Sequence, residues 1–139
     1  KRLREVLPPA YATEGAAAAD LRAAIDEPVT IAPGETALIP TGIAVAVPEN
    51  YVALVFARSG LAIKQGLSMA NGVGVIDSDY RGEIRVGVYN HGHAPYAVQP
   101  GERIAQMAIV PFVRAEFCET DELPPTARGE GGFGSTGKE

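Results

Sequence analysis

The sequence predicts an all-β protein with at most one short helix. Turn signals recur about every ten residues, at 33–35, 48–50, 90–92 and 100–102, and the chain holds 16 glycines and 11 prolines. The segments between the turns are short, apolar or alternating, and several are rich in β-branched residues, which favours strands over helices. Turns at this spacing are typical of a β-sandwich or a β-barrel.

Six segments are predicted to form strands. They cover residues 36–39, 42–47, 51–57, 72–76, 83–89 and 104–112. One or two helical turns are predicted for residues 59–65, with Ser59 as the N-terminal cap and Gly66 as the stop. Residues 16–19 permit a helix, but the alternation in residues 20–23 fits a strand equally well, so both assignments remain open.

Length and composition indicate one globular domain without nucleic-acid or membrane partners. The chain has 139 residues, of which 46% are hydrophobic and 21% charged, and its net charge of −5 offers no basic face for a nucleic acid. No apolar run approaches the roughly 18 residues of a membrane helix, and no signal peptide is visible, although residues can precede Lys1. Cys118 is the single cysteine, and we expect a partly buried thiol in a reducing, cytoplasmic compartment.

Groups suited to binding a small anion occur in three separate segments. Arg58-Ser59-Gly60 combines a guanidinium, a hydroxyl and a flexible backbone. Gln106 lies near the start of a predicted strand and offers an amide. Residues 128–137 begin with Arg128 and are half glycine, so their unobstructed backbone N–H groups can converge on phosphate oxygens. Each segment by itself also fits a solvated loop or strand end, so only their combination indicates a function.

The candidates for a general base are Asp20, Asp77 and Asp79. Two of them lie in the segment 74–82, where an apolar strand end enters a turn. Tyr80 follows directly and offers a flat contact for a sugar or a base. Taken by itself this segment also fits a surface hairpin with solvated acids, and local chemistry does not distinguish Asp77 from Asp79.

Together these segments resemble the homotrimeric dUTPases (dUTP diphosphatases), and the resemblance covers nearly the whole chain. The third and fifth of the shared motifs are the specific ones. In family order, the five motifs are residues 18–23, residues 58–62, Asn71 with residues 74–82, residues 101–107, and residues 128–137.

The resemblance implies a distorted jelly-roll, or β-clip-like, subunit in a homotrimer with three shared active sites. Residues 1–122 would form the β-rich core. Residues 123–139 would form a Pro/Gly-rich linker and a C-terminal arm that closes over a site of neighbouring subunits. The implied activity is hydrolysis of dUTP to dUMP and pyrophosphate, which supplies dUMP for thymidylate synthesis and keeps uracil out of DNA.

The resemblance also implies a role for each site residue. Asp77 would be the general base that activates a water molecule for attack on the α-phosphorus, and Tyr80 would lie under the deoxyribose and exclude UTP. Mg²⁺ would be bound through the triphosphate without a direct protein ligand, and Asp20 would act through a metal-bound water. Uracil would enter the hairpin of Asn71, Val75 and Ile76, Phe133 would stack on it, and Arg85 would contact the substrate. The phosphates would be held by Arg58, Ser59, Gly60, Gln106, Arg128, Gly134 and Ser135.

Two alternatives remain beside this interpretation. A related dCTP deaminase, or a bifunctional relative, is disfavoured by Tyr80 within Asp-Ser-Asp-Tyr. A non-catalytic nucleotide sensor is disfavoured because every implied catalytic position is present. The sequence departs from the family pattern at Ala18, where the first motif usually has glycine, and we expect a small backbone adjustment there.

Overall fold

Ten strands and one short helix form the regular structure of residues 1–133, the part of the chain that the computed structural model describes. The prediction of an all-β fold with at most one short helix is confirmed. In chain order the elements are β1 (Ala10–Tyr11), β2 (Ala19–Arg22), β3 (Val29–Ile31), β4 (Thr36–Pro40), β5 (Tyr51–Ala57), α1 (Ser59–Gln65), β6 (Leu67–Met69), β7 (Gly74–Ile76), β8 (Arg85–Asn90), β9 (Tyr96–Val98) and β10 (Arg103–Pro111).

The strands form three antiparallel sheets. The largest has the order β1-β2-β10-β5-β7, and two smaller sheets have the orders β4-β8-β6 and β3-β9. In the large sheet, Gln106 of β10 lies opposite Asp20 of β2 on one side and opposite Phe56 of β5 on the other. This register brings the polar side chains of Asp20 and Gln106 together near the end of β5, where Arg58 follows.

The core lies between the sheets and takes its side chains from all three. On β2, Ala19 and Leu21 are buried whereas Asp20 and Arg22 point outward, so the strand interpretation of this segment holds. Burying each large apolar side chain contributes about 1.5–3 kcal/mol to folding. The largest fully buried apolar side chains are Leu21, Ile31, Ile39, Val55, Ile84, Val86 and Val98.

Most of the predicted elements are confirmed. The strand at 51–57 and the helix at 59–65 have the predicted bounds, and β4, β8 and β10 agree within two residues at each end. The predicted strand at 72–76 starts only at Gly74, because Gly72 has φ +72° and lies in the preceding turn. Four strands of two or three residues, β1, β3, β6 and β9, were not predicted because alternation cannot be recognised over so few residues.

The prediction of a strand at 42–47 is wrong. Gly42 has φ +67°, and Ile43 makes only an isolated bridge to Arg2. Ile43 and Ala44 are both buried, so the two faces of a strand are not distinguished here. The segment is apolar because it lines the core, and its backbone bonds to single groups, such as the N–H of Ile84 at 2.8 Å from the Ile43 carbonyl oxygen.

The prediction of Ser59 as the cap of α1 is also wrong. Arg58 is the N-cap residue, with extended φ and ψ of −91° and 130°, and its carbonyl accepts the N–H of Ala62 at 2.9 Å. Ser59 is therefore the first helical residue, because the extended backbone of β5 continues through Arg58. The predicted stop is confirmed, since Gly66 adopts the left-handed conformation with φ 71°.

Beyond β10 the described chain lies on the surface. Val113, Phe117 and Leu123 are highly exposed, and so is Cys118, which corrects the expectation of a partly buried thiol. Gly134 and Ser135 fall outside the described residues. Within residues 1–133, no helix has the length and apolar character needed to span a membrane.

Candidate active site

Charged side chains meet at the end of the large sheet where β5 passes into α1. Asp20 Oδ1 forms an ion pair with Arg58 Nε at 3.0 Å, and Asp20 Oδ2 accepts a hydrogen bond from Arg103 Nη1 at 3.0 Å. Arg58 Nη1 also donates to the Arg103 carbonyl at 3.1 Å. We call these three residues the arginine cluster. It holds two positive charges and one negative charge, so it carries a net charge of +1.

Three elements position the arginine cluster and the polar groups beside it. Gln106 lies next to Asp20 across the β2–β10 pairing, and its Nε2 donates to the Ala57 carbonyl at 3.1 Å. Ser59 and Gly60 follow Arg58 as the first, exposed residues of α1. The structure thus brings together the predicted residues of the first, second and fourth motifs. Free guanidinium N–H groups beside a hydroxyl and an amide suit phosphate oxygens.

Arg103 was not among the predicted site residues. In a regular strand, residues 103 and 106 point to opposite faces. The pairing of β10 with β2 shifts register between Arg103 and Ala105, and Ile104 and Ala105 are both buried. This bulge brings Arg103 to the face that carries Asp20 and Gln106. The alternation of a regular strand does not predict that Arg103 lies on this face. The position of Arg103 in the motif at 101–107 was the only signal in the sequence.

A hydrogen-bonded pair fixes the turn that precedes Arg103. The Tyr96 hydroxyl donates to Glu102 Oε1 at 2.5 Å, and the Gln99 N–H donates to Glu102 Oε2 at 2.8 Å. Burial of the phenol raises the pKa of Tyr96 to about 12, and the bond to the Glu102 carboxylate and its charge act in the same direction. The pair therefore holds β9 against the start of β10.

A second group of predicted residues surrounds a cavity of about 490 Å³ beside β7. This volume is within the range of small-molecule sites. Asp77 is the first residue after β7, and its carbonyl accepts the N–H of Tyr80 at 3.2 Å. The cavity is lined by Val75, Ile76, Asp77, Tyr80, Glu83, Ile84 and Arg85.

The Tyr80 ring is fixed by backbone on one side. Its hydroxyl donates to the Glu83 carbonyl at 2.9 Å. A Cβ at Gly82 would lie 2.3 Å from the same hydroxyl, so only glycine allows the ring this position. The ring therefore forms a defined wall of the cavity rather than a mobile contact.

Asn71 lies in the tight turn between β6 and β7. These two strands belong to different sheets, so the turn leads from one sheet to the other. Its carbonyl accepts the N–H of Val73 at 2.8 Å, and Gly72 bonds back to Met69 at 3.0 Å. Because β6 and β7 are not paired with each other, the segment from Asn71 to Asp77 is not a β-hairpin; β7 pairs with β5, and the segment presents backbone groups at the edge of the large sheet.

The arginine cluster and the cavity lie at opposite ends of β5. Ile76 pairs with Ala53, which places Asp77 near the start of β5, whereas Arg58 follows its last residue. Six strand residues span about 20 Å. A general base must reach its target directly or through one water, so a single chain does not bring Asp77 to phosphates held by Arg58.

The residues predicted for the C-terminal arm are separate from both groups. Arg128 Nε donates to the Gly131 carbonyl at 2.7 Å within its own segment, and Phe133 is fully exposed with φ 50°. Their contacts with substrate remain predictions.

The donor set fits a magnesium ion that arrives with a phosphate ligand. In the described part of the chain, no three His, Cys, Asp or Glu side chains are arranged to hold a metal directly. The Asp20 carboxylate offers about four acceptor sites; Arg103 donates to one of them, and Arg58 lies in ion-pair contact with the other oxygen. The remaining sites can accept bonds from water molecules around Mg²⁺, an ion that keeps several waters when it binds phosphates.

A β-sheet protein with an anion-binding cluster and a nucleoside-sized cavity beside a carboxylate belongs to the class of nucleotide-binding proteins. The dUTPase family model matches residues 5–137. The chain belongs to the dUTPase family.

Individual relatives agree with this assignment. The chain is 58% identical over 130 residues to the deoxyuridine 5'-triphosphate nucleotidohydrolase of Desulfitobacterium hafniense strain DSM 10664 / DCB-2, which covers 93% of this chain and 86% of the relative. It is 52% identical over 138 residues to the enzyme of the same description from Paraburkholderia xenovorans strain LB400, which covers 99% and 93%.

Solved structures show the same fold. A mutant dUTPase of Staphylococcus bacteriophage 80alpha with dUpNHpp superposes with a TM-score of 0.90 at 30% identity, over 99% of this chain and 96% of that one. A mutant dUTPase from phage phi11 of S. aureus, described with a coordinated structural Mg(II) ion, gives a TM-score of 0.80 at 27% identity, over 88% and 95%.

Proposed function

We infer that this chain hydrolyses dUTP to dUMP and pyrophosphate, and we propose the roles of its residues. Membership of the dUTPase family and identities above 50% to deoxyuridine triphosphate nucleotidohydrolases support the reaction. The observation that carries the proposed mechanism is the presence, in one chain, of the arginine cluster and of a cavity with Asp77 and Tyr80 in its wall.

Asp77 is the proposed general base. Its carboxylate accepts a proton from a water molecule whose oxygen forms the new bond to the α-phosphorus. The bond from that phosphorus to the bridging oxygen breaks, and pyrophosphate leaves. General-base assistance accounts for about 10²–10⁴-fold of a rate enhancement, so charge stabilisation by the phosphate-binding groups has to supply most of the remainder.

The arginine cluster is the proposed site of that stabilisation. Arg58 and Arg103 are held in place by one carboxylate, so they meet the phosphates with little reorganisation. Ser59, Gly60 and Gln106 add neutral donors to the same surface. When Mg²⁺ is bound, it neutralises phosphate charge, and Asp20 holds the ion through its waters.

The cavity beside β7 is the proposed nucleoside site. The backbone of the segment between Asn71 and Asp77 can present donors and acceptors to one edge of uracil, and a site of this kind rejects a base with the wrong edge by roughly 10⁴–10⁵. The fixed Tyr80 ring leaves no space for a 2′-hydroxyl. Arg85 contacts the substrate at the same cavity.

We propose that the active site is completed by other copies of the chain in a homotrimer. The distance of about 20 Å along β5 separates the proposed base from the proposed phosphate site, and placing the Asp77 end of one subunit beside the Arg58 end of another removes this separation. The C-terminal arm, residues 123–139, then closes over the site of its neighbours with Arg128, Phe133, Gly134 and Ser135. A cytoplasmic location also stays a prediction.

Release of pyrophosphate from dUTP in the presence of Mg²⁺ is the direct test. Turnover of dUTP with no measurable turnover of dCTP or UTP is the expected result. Ammonia released from dCTP without hydrolysis of dUTP would favour the deaminase alternative. Tight binding of dUTP without turnover would favour the nucleotide sensor. A light-scattering mass of three chains is expected for the purified protein.

A further inference from the structure

Glu83 is a largely buried carboxylate in the wall of the nucleoside cavity, and none of the roles proposed above uses it. Its side chain is only 12% exposed. Oε1 accepts the N–H of Gly42 at 2.8 Å and lies 3.5 Å from Arg4 Nε, and Oε2 accepts Arg85 Nε at 3.3 Å. One carboxylate thus connects the 42–47 segment, the N-terminal segment and β8.

The position of Glu83 raises a problem for an anionic substrate. Its carboxylate lines the same cavity as Asp77 and Arg85, so an unpaired negative charge there would repel the phosphates. The pairing with Arg85 offsets that charge. It also fixes Nε of a side chain that is 53% exposed and would otherwise sample many rotamers.

We propose that Glu83 is a positioning residue that holds the Arg85 guanidinium at the mouth of the nucleoside cavity, where its other N–H groups meet the phosphates of the substrate. This inference rests on the proposed function. Apolar and aromatic groups, Val75, Ile76 and Tyr80, line the cavity beside Arg85 and suit the base and sugar. The phosphates are the part of the substrate that a guanidinium attracts.

The side chain and the backbone of Glu83 have separable roles. The Tyr80 hydroxyl bonds to the Glu83 carbonyl, which a side-chain substitution leaves in place. Changing the carboxylate should therefore alter the binding of phosphates and leave the discrimination between dUTP and UTP unchanged.

The test compares Glu83→Gln with the wild type in steady-state kinetics. Glutamine keeps an acceptor for the Gly42 N–H but turns an amide N–H group towards Arg85. We expect KM for dUTP to rise roughly three- to five-fold, the size of a half-exposed ion pair, with kcat little changed. If only charge mattered, removing a negative charge beside an anionic substrate would lower KM, so the direction of the change decides.

Two further variants isolate the contact. Arg4→Gln removes the other ion pair of Glu83, 3.5 Å away and outside the cavity lining, and should leave KM unchanged. In an Arg85→Gln background, Glu83→Gln should not raise KM further, because the side chain that Glu83 positions is gone, and relief of charge repulsion can only lower KM there. If Glu83→Gln does not fold, Arg85→Lys tests the same bond: lysine keeps the charge but has no Nε–H, and KM should rise.

An unchanged or lowered KM in Glu83→Gln, or an equal rise in the Arg85→Gln background, would overturn the proposal. So would a wild-type KM in Arg85→Lys. The affinity for the analogue dUpNHpp gives the same comparison without turnover. A wild-type chain that binds the analogue but does not hydrolyse dUTP would contradict the proposed function, while the analogue affinities would still decide on Glu83.

Discussion

Asp77 and Asp79 are two residues apart, yet the structure gives them different surroundings. Asp77 lies in the wall of the cavity that contains Tyr80 and Arg85, and also in that of a second cavity of about 530 Å³. Asp79 lines only the second cavity, together with Tyr51 and other exposed side chains. A geometric difference thus separates two carboxylates that local sequence chemistry could not distinguish.

Asp77→Asn is expected to lower kcat by about 10²–10⁴-fold with little change in the affinity for dUpNHpp, because asparagine keeps the shape of the cavity but cannot accept the proton. Single-turnover rates and analogue titration measure the two effects separately. Asp79→Asn is the matched control and should retain activity. Equal losses of turnover and affinity in Asp77→Asn would contradict its role as the base.

The raised pKa of Tyr96 predicts that the folded chain loses stability in alkali. Its pKa is about 12 in the folded chain against 10.0 for the free side chain, so the neutral phenol is favoured by folding. The contribution of this group is complete below pH 10 and is lost as the pH rises from 10 towards 12. Tyr96→Phe should be less stable than the wild type below pH 10, and the difference should shrink above it.

Denaturant midpoints across this pH range measure the effect, with exposed Tyr11→Phe as the control for loss of a phenol. A constant difference between Tyr96→Phe and the wild type from neutral pH to pH 12 would show that folding does not raise the pKa of Tyr96.

At the scale of elements, local sequence signals predicted some segments correctly, whereas contacts with distant parts of the chain decided the structure of others. The strand at 51–57 was predicted from its apolar run and the one or two helical turns at 59–65 from the glycine stop at Gly66, and both are confirmed. The segment 42–47 had a strand composition but is held by isolated bonds to other segments. The bulge that places Arg103 on the same face as Asp20 depends on the pairing of β10 with β2. These strands are far apart in the sequence, so no local pattern predicts the bulge.

Glycine is needed at the end of α1 for its backbone conformation and also because another backbone segment lies close to it. Gly66 has φ +71°, and a Cβ there would lie 2.6 Å from the backbone nitrogen of Gly92. Gly34 has a similar φ of +81° but open space around it. Gly34→Ala should lower the free energy of unfolding by about 1–2 kcal/mol, and Gly66→Ala by clearly more.

Chemical unfolding at one protomer concentration compares the two variants. Because Ser59 and Gly60 lie on the same helix, Gly66→Ala should also weaken substrate binding, whereas Gly34→Ala should not. Equal destabilisation of the two variants would mean that the backbone near Gly92 moves aside without cost.

At the scale of the whole molecule, the outer face of the large sheet is apolar and partly exposed among residues 1–133. Val52 and Leu54 are partly exposed on β5, and Val75 and Val110 on the neighbouring strands are more so. Contiguous apolar surface of this kind marks interfaces. The same face runs between the arginine cluster and Asp77, so an interface here would bring the two site halves of different chains together.

The sequence predicted most of the residues that the structure places in and beside the arginine cluster and around the cavity beside β7, but not the separation of these two groups. Spacing along the chain says nothing about which end of a shared strand a residue occupies. That information came from the pairing of Ile76 with Ala53 and of Gln106 with Phe56. The homotrimer is implied by the resemblance and stays a proposal, and the distance along β5 supplies a physical reason for a site shared between chains.

Sharing of sites between subunits predicts complementation. Asp77→Asn and Arg58→Gln should each be inactive, but unfolding and refolding them together should restore activity, because a mixed trimer can join the intact Asp77 of one chain to the intact Arg58 of another. With random mixing, about a quarter of the sites would be intact in a closed symmetric ring. Arg58→Gln mixed with Gln106→Ala is the control. Both changes lie in the part of the site that contains Arg58, so no chain in a mixed trimer has that part intact, and the activity should not exceed what each variant retains alone. Recovery equal to that control would place each complete site within one chain.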